Sequence, residues 1–232
     1  MTHLDSELRG LKSDMLEMFS LVLNQMEKSK DALLRLDKDL AREIMVNEKR
    51  VNGFELKIDR DCENIIALFN PVAVDLRFLL ACLKTNSNLE RIGDIAEGVA
   101  RFVLDIKLEP EKKLIEVTRL MEMFDVCDVI LTDVMNAFDK EDTQLARSVF
   151  KKDETLDEIN ANANAAVADF IRNTPDRINQ SLYILSTIRK LERVGDQCKN
   201  IAEEIIFYVE AKVLKHKTLS QKQDLGRPGE NL

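Results

Sequence analysis

Tryptophan is absent from this 232-residue chain, aromatic residues make up only 5 %, and glycine (7) and proline (4) are scarce. That palette argues against a sheet protein and for long helices. Histidine occurs twice, at His3 and His216, both near the ends. No Ser-His-Asp set can be assembled in an interior without histidine, and the Glu-x-x-His pairs of ferritin-like di-iron bundles are missing. No Walker A loop or Gly-rich phosphate cradle occurs. The cysteines, Cys62, Cys82, Cys127 and Cys198, stand apart with no CxxC pair. They read as small core residues in a reducing compartment, not as a disulfide framework or zinc site. No run of about 18 apolar residues is present to span a membrane. The opening MTHLDSELRG lacks an apolar signal core. These absences predict a cytoplasmic protein without membrane insertion, organic cofactor or catalytic centre. The balance of 42 acidic to 34 basic residues, a net charge of −8, gives no bulk attraction to nucleic acid.

What is present is helical periodicity. Leu4, Leu8, Leu11, Met15, Met18, Val22 and Met26 step by four and three along one seam. A break near Leu36–Asp39 predicts a second helix running to about Phe69. Asn70-Pro71 reads as a cap followed by proline in the first helical position, opening a third helix from Val72 to about Lys107. A fourth helix is expected over roughly 111–138. A fifth runs from the Asp139–Asp142 turn to about Asn173, and Thr174-Pro175 repeats the cap-and-proline start of a sixth that extends to about Lys217. The polar end, TLSQKQDLGRPGENL, reads as a disordered tail.

An internal repeat organises these helices. Leu89-Glu90-Arg91-Ile92-Gly93-Asp94 returns as Leu191-Glu192-Arg193-Val194-Gly195-Asp196, an offset of 102 residues that Thr85/Thr187 and Ala100/Ala202 share. Glu48–Asn52 and Asp153–Asp157 echo one another at an offset of 105. The expectation is an all-α fold of two tandem three-helix bundles, residues 1–109 and 110–217, followed by the tail 218–232.

Glu90 and Asp94 lie one helical turn apart on one face, as do Glu192 and Asp196. A tight turn makes helices two and three antiparallel neighbours. Glu48 lies 23 residues before Pro71 and Asp94 lies 23 after it, so the two stand at one height. Asn52 and Glu90 match in the same way, and in the second unit Asp157 matches Glu192 and Asp153 matches Asp196. Carboxylates facing each other across ~8–10 Å, with no facing lysine or arginine, repel unless a multivalent cation joins them. An all-oxygen set suits Mg, Ca, Mn or Fe. Glu55 and Asp59 extend the stripe in the first unit, where the second has Asn160 and Asn164. The structural alternative is a solvated acidic face paired with Arg91 and Arg193. Gly93 and Gly195 mark close approach, by a neighbouring helix or by an ion with its waters.

With Asn70-Pro71-Val72-Ala73-Val74-Asp75-Leu76-Arg77 upstream of two LER[IV]GD copies, the chain resembles the PhoU family of phosphate-uptake regulators. Gln197–Ile201 and Ile206–Val209 look like the family's last helix, and the likeness covers about residues 4–217. The resemblance implies ions held by E(D)-x-x-x-D motifs, iron or zinc first, with Mg, Mn or Ca as alternatives. Carried over by position, the metal ligands are Glu48, Glu90, Asp94, Asp153, Asp157, Glu192 and Asp196, with Asn52 replacing a carboxylate. It implies a phosphate ABC transporter (its ATPase subunit) and a membrane sensor histidine kinase as partners, a homodimer, and restraint of phosphate uptake and of the starvation response when phosphate is plentiful. Asp75 and Arg77, two residues apart on different faces, are read as partner-facing or structural. The competing expectation is a metal-storing or metal-dependent helical-bundle enzyme.

Overall fold

The structure, a computed structural model, describes residues 2–214. The helices are α1 (His3–Arg35), α2 (Lys38–Phe69), α3 (Ala73–Asp105), α4 (Lys112–Val117), α5 (Leu120–Lys140), α6 (Thr143–Asn173) and α7 (Ile178–Glu210), with a 3₁₀ turn Pro175–Arg177 before α7. There is no strand among the described residues. The first unit is α1–α3 and the second α4–α7. The tail expected at 218–232 and His216 lie outside the described residues.

Local chemistry sets the boundaries. Thr2 opens α1 with a capping box: its hydroxyl accepts from the Asp5 N–H at 3.2 Å, and the Asp5 carboxylate accepts from the Thr2 N–H at 2.7 Å. Asp37 and Asp142 each accept from two backbone N–H groups at the starts of α2 and α6. Each follows a residue in the left-handed region, Leu36 (φ 50) and Glu141 (φ 56). The same turn therefore recurs at the offset of 105 that relates Glu48 to Asp153.

Four boundaries differ from the sequence expectation. The fourth helix is two: α4 stops at Val117, and Arg119 takes φ 53 before α5 begins. No glycine or proline marks this break. Arg119 is held instead by ion pairs to Glu122 at 2.7 Å and to Glu158 of α6 at 2.8 Å. Asn70 closes α2 in a left-handed conformation rather than capping α3, whose N-cap Val72 has no side-chain bond to give. Thr174 likewise caps nothing with its side chain, and Pro175 starts the 3₁₀ turn. The last helix ends at Glu210, where Ala211 (φ 56) closes it, rather than near Lys217.

Within each unit the long hairpin helices pair, α2 on α3 and α6 on α7, and the two units meet mainly along α3 and α7. Lys84 pairs with Glu204 and Asn88 with Asn200. Gly98 accommodates the Lys190 side chain. Positions thus rise on α3 as they fall on α7, so the two helices are antiparallel. An aromatic cluster locks the units at one end: Phe78 of α3 and Phe138 of α5 stack at 6.0 Å, and Tyr208 of α7 meets Phe78 edge-on at 5.6 Å. The Tyr208 hydroxyl donates to the Phe138 carbonyl at 3.2 Å. All four cysteines are buried and free.

Left-handed backbone at a residue with a side chain costs ~1–2 kcal/mol that glycine escapes. Glu141→Gly at its exposed turn should therefore stabilise the chain by about 1 kcal/mol, read as a rise of roughly 2–4 °C in thermal unfolding.

Candidate metal centre

In the α2–α3 hairpin, Glu48 points into the seam and is only 4 % exposed. It lies against Gly93: a Cβ built on that glycine would stand 3.0 Å from Glu48 Oε2 and 3.2 Å from Val51 Cγ1. The second unit repeats the arrangement. Asp153, 2 % exposed, lies against Gly195, where an added Cβ would collide with Asp153 Oδ1 and come within 2.7 Å of Leu156 Cδ1. A mid-helix glycine costs ~1 kcal/mol relative to alanine. In both units it leaves a notch, and what enters the notch is the carboxylate of the facing helix.

The first unit gathers charge without cancelling it. Neither oxygen of Glu48 completes a hydrogen bond, nor does the buried amide of Gln25 from α1, although that amide favours the ionised form of Glu48. Burial, then the charge of Asp94, pushes the Glu48 carboxyl up to about 7, with further contributions from Glu97 and Glu90. Burial and Asp94 also raise Glu90, and burial, Asp59 and Asp94 raise Glu55. Asp59 is held by the Asn86 amide at 2.9 Å.

The second unit is built from the same positions and answered differently. The Lys199 ammonium pairs with Asp153 Oδ2 and, at 2.9 Å, with Asp196 Oδ1. Burial lowers the Lys199 pKa, but its hydrogen bonds to Asp153 and Asp196 outweigh that and hold it raised. Burial still lifts Asp153 to about 6 against the pull of Lys199. Glu192 is raised by burial and by Asp196 and Asp157.

The charges of Asp94, Glu97 and Glu90 reach Glu48, those of Asp157 and Asp196 reach Asp153, and Glu192 feels Asp196 and Asp157. Glu90 and Glu192 are half-buried, while Asp94, Asp157 and Asn52 are exposed. Among the described residues, no three His, Cys, Asp or Glu side chains are arranged to hold a metal ion as they stand. Arg91 and Arg193 form no ion pair with the acids beside them. They line a groove with Lys190, Arg101, Asp94 and Glu97 where α3 and α7 meet. Arg77 donates from Nε to the Tyr208 carbonyl at 3.4 Å, which ties α3 to the end of α7. Asp75 lines the same surface hollow as Arg77. Sequence reasoning passed over Gln25, Glu97 and Lys199. Glu97 and Lys199 occupy equivalent positions at the offset of 102, so comparing the repeats one turn past the motif would have found them.

The donor types suit a hard cation in the first unit: all oxygen, with one member buried in a glycine notch and completing no hydrogen bond.

A PhoU domain model matches residues 15–103 and 120–205, one copy per unit. The chain is 31 % identical over 212 residues to the phosphate-specific transport system accessory protein PhoU of Edwardsiella tarda, covering 91 % of this chain and 86 % of that one. It superposes on the crystal structure of PhoU from Pseudomonas aeruginosa with a TM-score of 0.84 at 31 % identity, covering 90 % and 99 % of the two chains. The phosphate transport system regulatory protein PhoU of Streptococcus pneumoniae gives 0.79 at 29 % identity, covering 91 % and 99 %.

Two outcomes test the seam. Gly195→Ala should cost about 1–3 kcal/mol despite its better helix propensity, because Asp153 is short and locked by Lys199. Gly93→Ala should stay within about 1 kcal/mol of the parent, because the flexible Glu48 can yield. Urea unfolding separates them. The second outcome follows from Glu48. With its pKa raised from 4.5 to about 7 on folding, the protonated acid favours the folded state. That contribution is full below pH about 4.5 and is lost as pH rises through about 7. Metal-free Glu48→Gln should therefore unfold at higher temperature than the parent at pH 8, with the difference shrinking toward about pH 5.

Proposed function

We propose, because the chain belongs to the PhoU family, that it is a non-enzymatic accessory regulator of phosphate uptake. In this reading it acts in the cytoplasm on a phosphate ABC transporter, through the ATPase subunit, and on a phosphate sensor histidine kinase. It restrains uptake and the starvation response when phosphate is abundant. The observation that carries the reading is the match of both units to one domain, together with relatives that are named for the phosphate-specific transport system. No described helix is long and apolar enough to cross a membrane, which fits attachment to a transporter through protein contacts. A homodimer belongs to the same reading.

Metal enters as a structural or sensory ligand of the acidic seam between the second and third helix of a unit. Glu48, Glu90 and Asp94 are the donors in the first unit, with Asp153, Asp157, Glu192 and Asp196 at the matching positions of the second. Support comes from the unpartnered, buried Glu48 and from carboxylate charges that raise one another. Such a cation would neutralise the seam and stiffen the hairpin, a role that calls for no open coordination position or substrate pocket. Iron or zinc is the expectation carried by the family likeness, and Mg, Mn or Ca suit the oxygen donors.

A strain lacking the gene tests the regulatory claim. In high phosphate, alkaline phosphatase and phosphate-transport expression should rise well above the parent level and return when the gene is restored. Unchanged expression in high phosphate would sink the assignment.

A further inference from the structure

We propose that the two seams have diverged, so that the first takes a divalent cation while the second carries its own counter-ion, the Lys199 ammonium. This rests on the cation reading of the acidic seam and adds which unit is loaded and why the other is not.

The repeat allows a position-by-position comparison. The Gly-facing acid is Glu48 in the first unit and Asp153 in the second, and the motif acids Glu90 and Asp94 match Glu192 and Asp196. One turn past the motif the units part: the first has Glu97, the second Lys199. Glu97 lies close enough to add to the charge felt by Glu48, and its own ion pair, to Arg101 at 2.9 Å, runs to a residue whose side chain is 60 % exposed. Lys199 turns inward and bridges Asp153 and Asp196. The flanking positions diverge in both directions. Glu55 and Asp59 become Asn160 and Asn164, while Lys49 to Glu154, Asn52 to Asp157 and Gly53 to Glu158 run the other way.

A carboxylate taken out of water must be protonated or paired, since its desolvation costs several kcal/mol. In the second unit an ammonium supplies the pairing. Its three N–H donors reach two carboxylates at once, and its place between them is the place an ion would take. In the first unit nothing supplies it. Both Glu48 oxygens are buried and complete no hydrogen bond, the Gln25 amide that favours the carboxylate carries no charge, and every nearby group that shifts Glu48 through its charge is acidic. Glu48 is buried against Gly93, whereas Asp94 is exposed and Glu90 half-buried. Those two can swing onto an ion seated on Glu48, which accounts for carboxylates that do not converge on one point as they stand.

The test is Mn²⁺ binding to the full chain, followed by electron paramagnetic resonance of free ion, with thermal unfolding in chelator as a second readout. One Mn²⁺ per chain is expected, lost in Glu48→Gln and kept in Asp153→Asn. Glu97→Lys, which writes the second unit's residue into the first, should abolish that site and raise the unfolding temperature in chelator. Lys199→Glu should bring the count to two. The milder Lys199→Gln should unfold several degrees lower in chelator and regain the loss with Mn²⁺. Two ions in the parent, lost separately in Glu48→Gln and Asp153→Asn, would overturn the divergence and leave the cation reading intact. No Mn²⁺ in the parent or in Lys199→Glu would overturn both. An unchanged unfolding temperature for Lys199→Gln in chelator would overturn the counter-ion role of Lys199.

Discussion

The seam between the second and third helix of each unit is governed by one constraint: a carboxylate buried in a notch made by a helical glycine. Glu48 against Gly93 and Asp153 against Gly195 are the same solution twice. The notch sets the distance between the paired helices, because any side chain on the glycine would push the acid away. It also sets the electrostatic problem, because an acid held there has given up water. The remaining features of the seam are responses to that loss. In one unit the response is an ammonium from the next turn of α7, and in the other it is a carboxyl pushed up to about 7.

Much of this was legible in the sequence. Counting outward from Pro71 puts Glu48 and Asp94 at one height, and Asp94 is the strongest charge acting on Glu48. Because both helices are long and regular, a residue count converts directly into distance along the axis. It fails where irregularity has no local signature. Arg119 takes a left-handed conformation that splits the fourth helix and pairs with Glu122 and Glu158, the latter on a different helix, and no propensity encodes a tertiary partner. Asn70 and Thr174 carry cap-like side chains, yet the chain leaves each of them too irregularly for the side chain to meet the next helix's N–H groups. The inward course of Lys199 was also hidden. A lysine three residues after an aspartate reads as an exposed intrahelical pair, and nothing in its spacing says that it continues to a second acid on the neighbouring helix.

The units depend on each other through the antiparallel contact of α3 and α7. Residues near the two motifs lie at matching levels there, so Arg91 and Arg193 share a groove with Asp94 and Glu97, where their charges weaken, without overturning, the upward shifts of Glu90 and Glu192. At the far end, Phe78, Phe138 and Tyr208 join α3, α5 and α7 in one aromatic cluster, and Arg77 reaches the last turn of α7. A disturbance in either hairpin therefore has a rigid path to the other through packed side chains.

Covalent duplication carries a freedom that self-association lacks. Two separate copies of a three-helix subunit, related by a dyad, must bear identical residues, so a lysine gained in one seam appears in both. Joined in tandem, the halves escape that symmetry, and position 97 can keep its glutamate while position 199 acquires an amine. The 106–111 connection between α3 and α4 is, on this view, what permits a chain of two similar halves to mutate them independently.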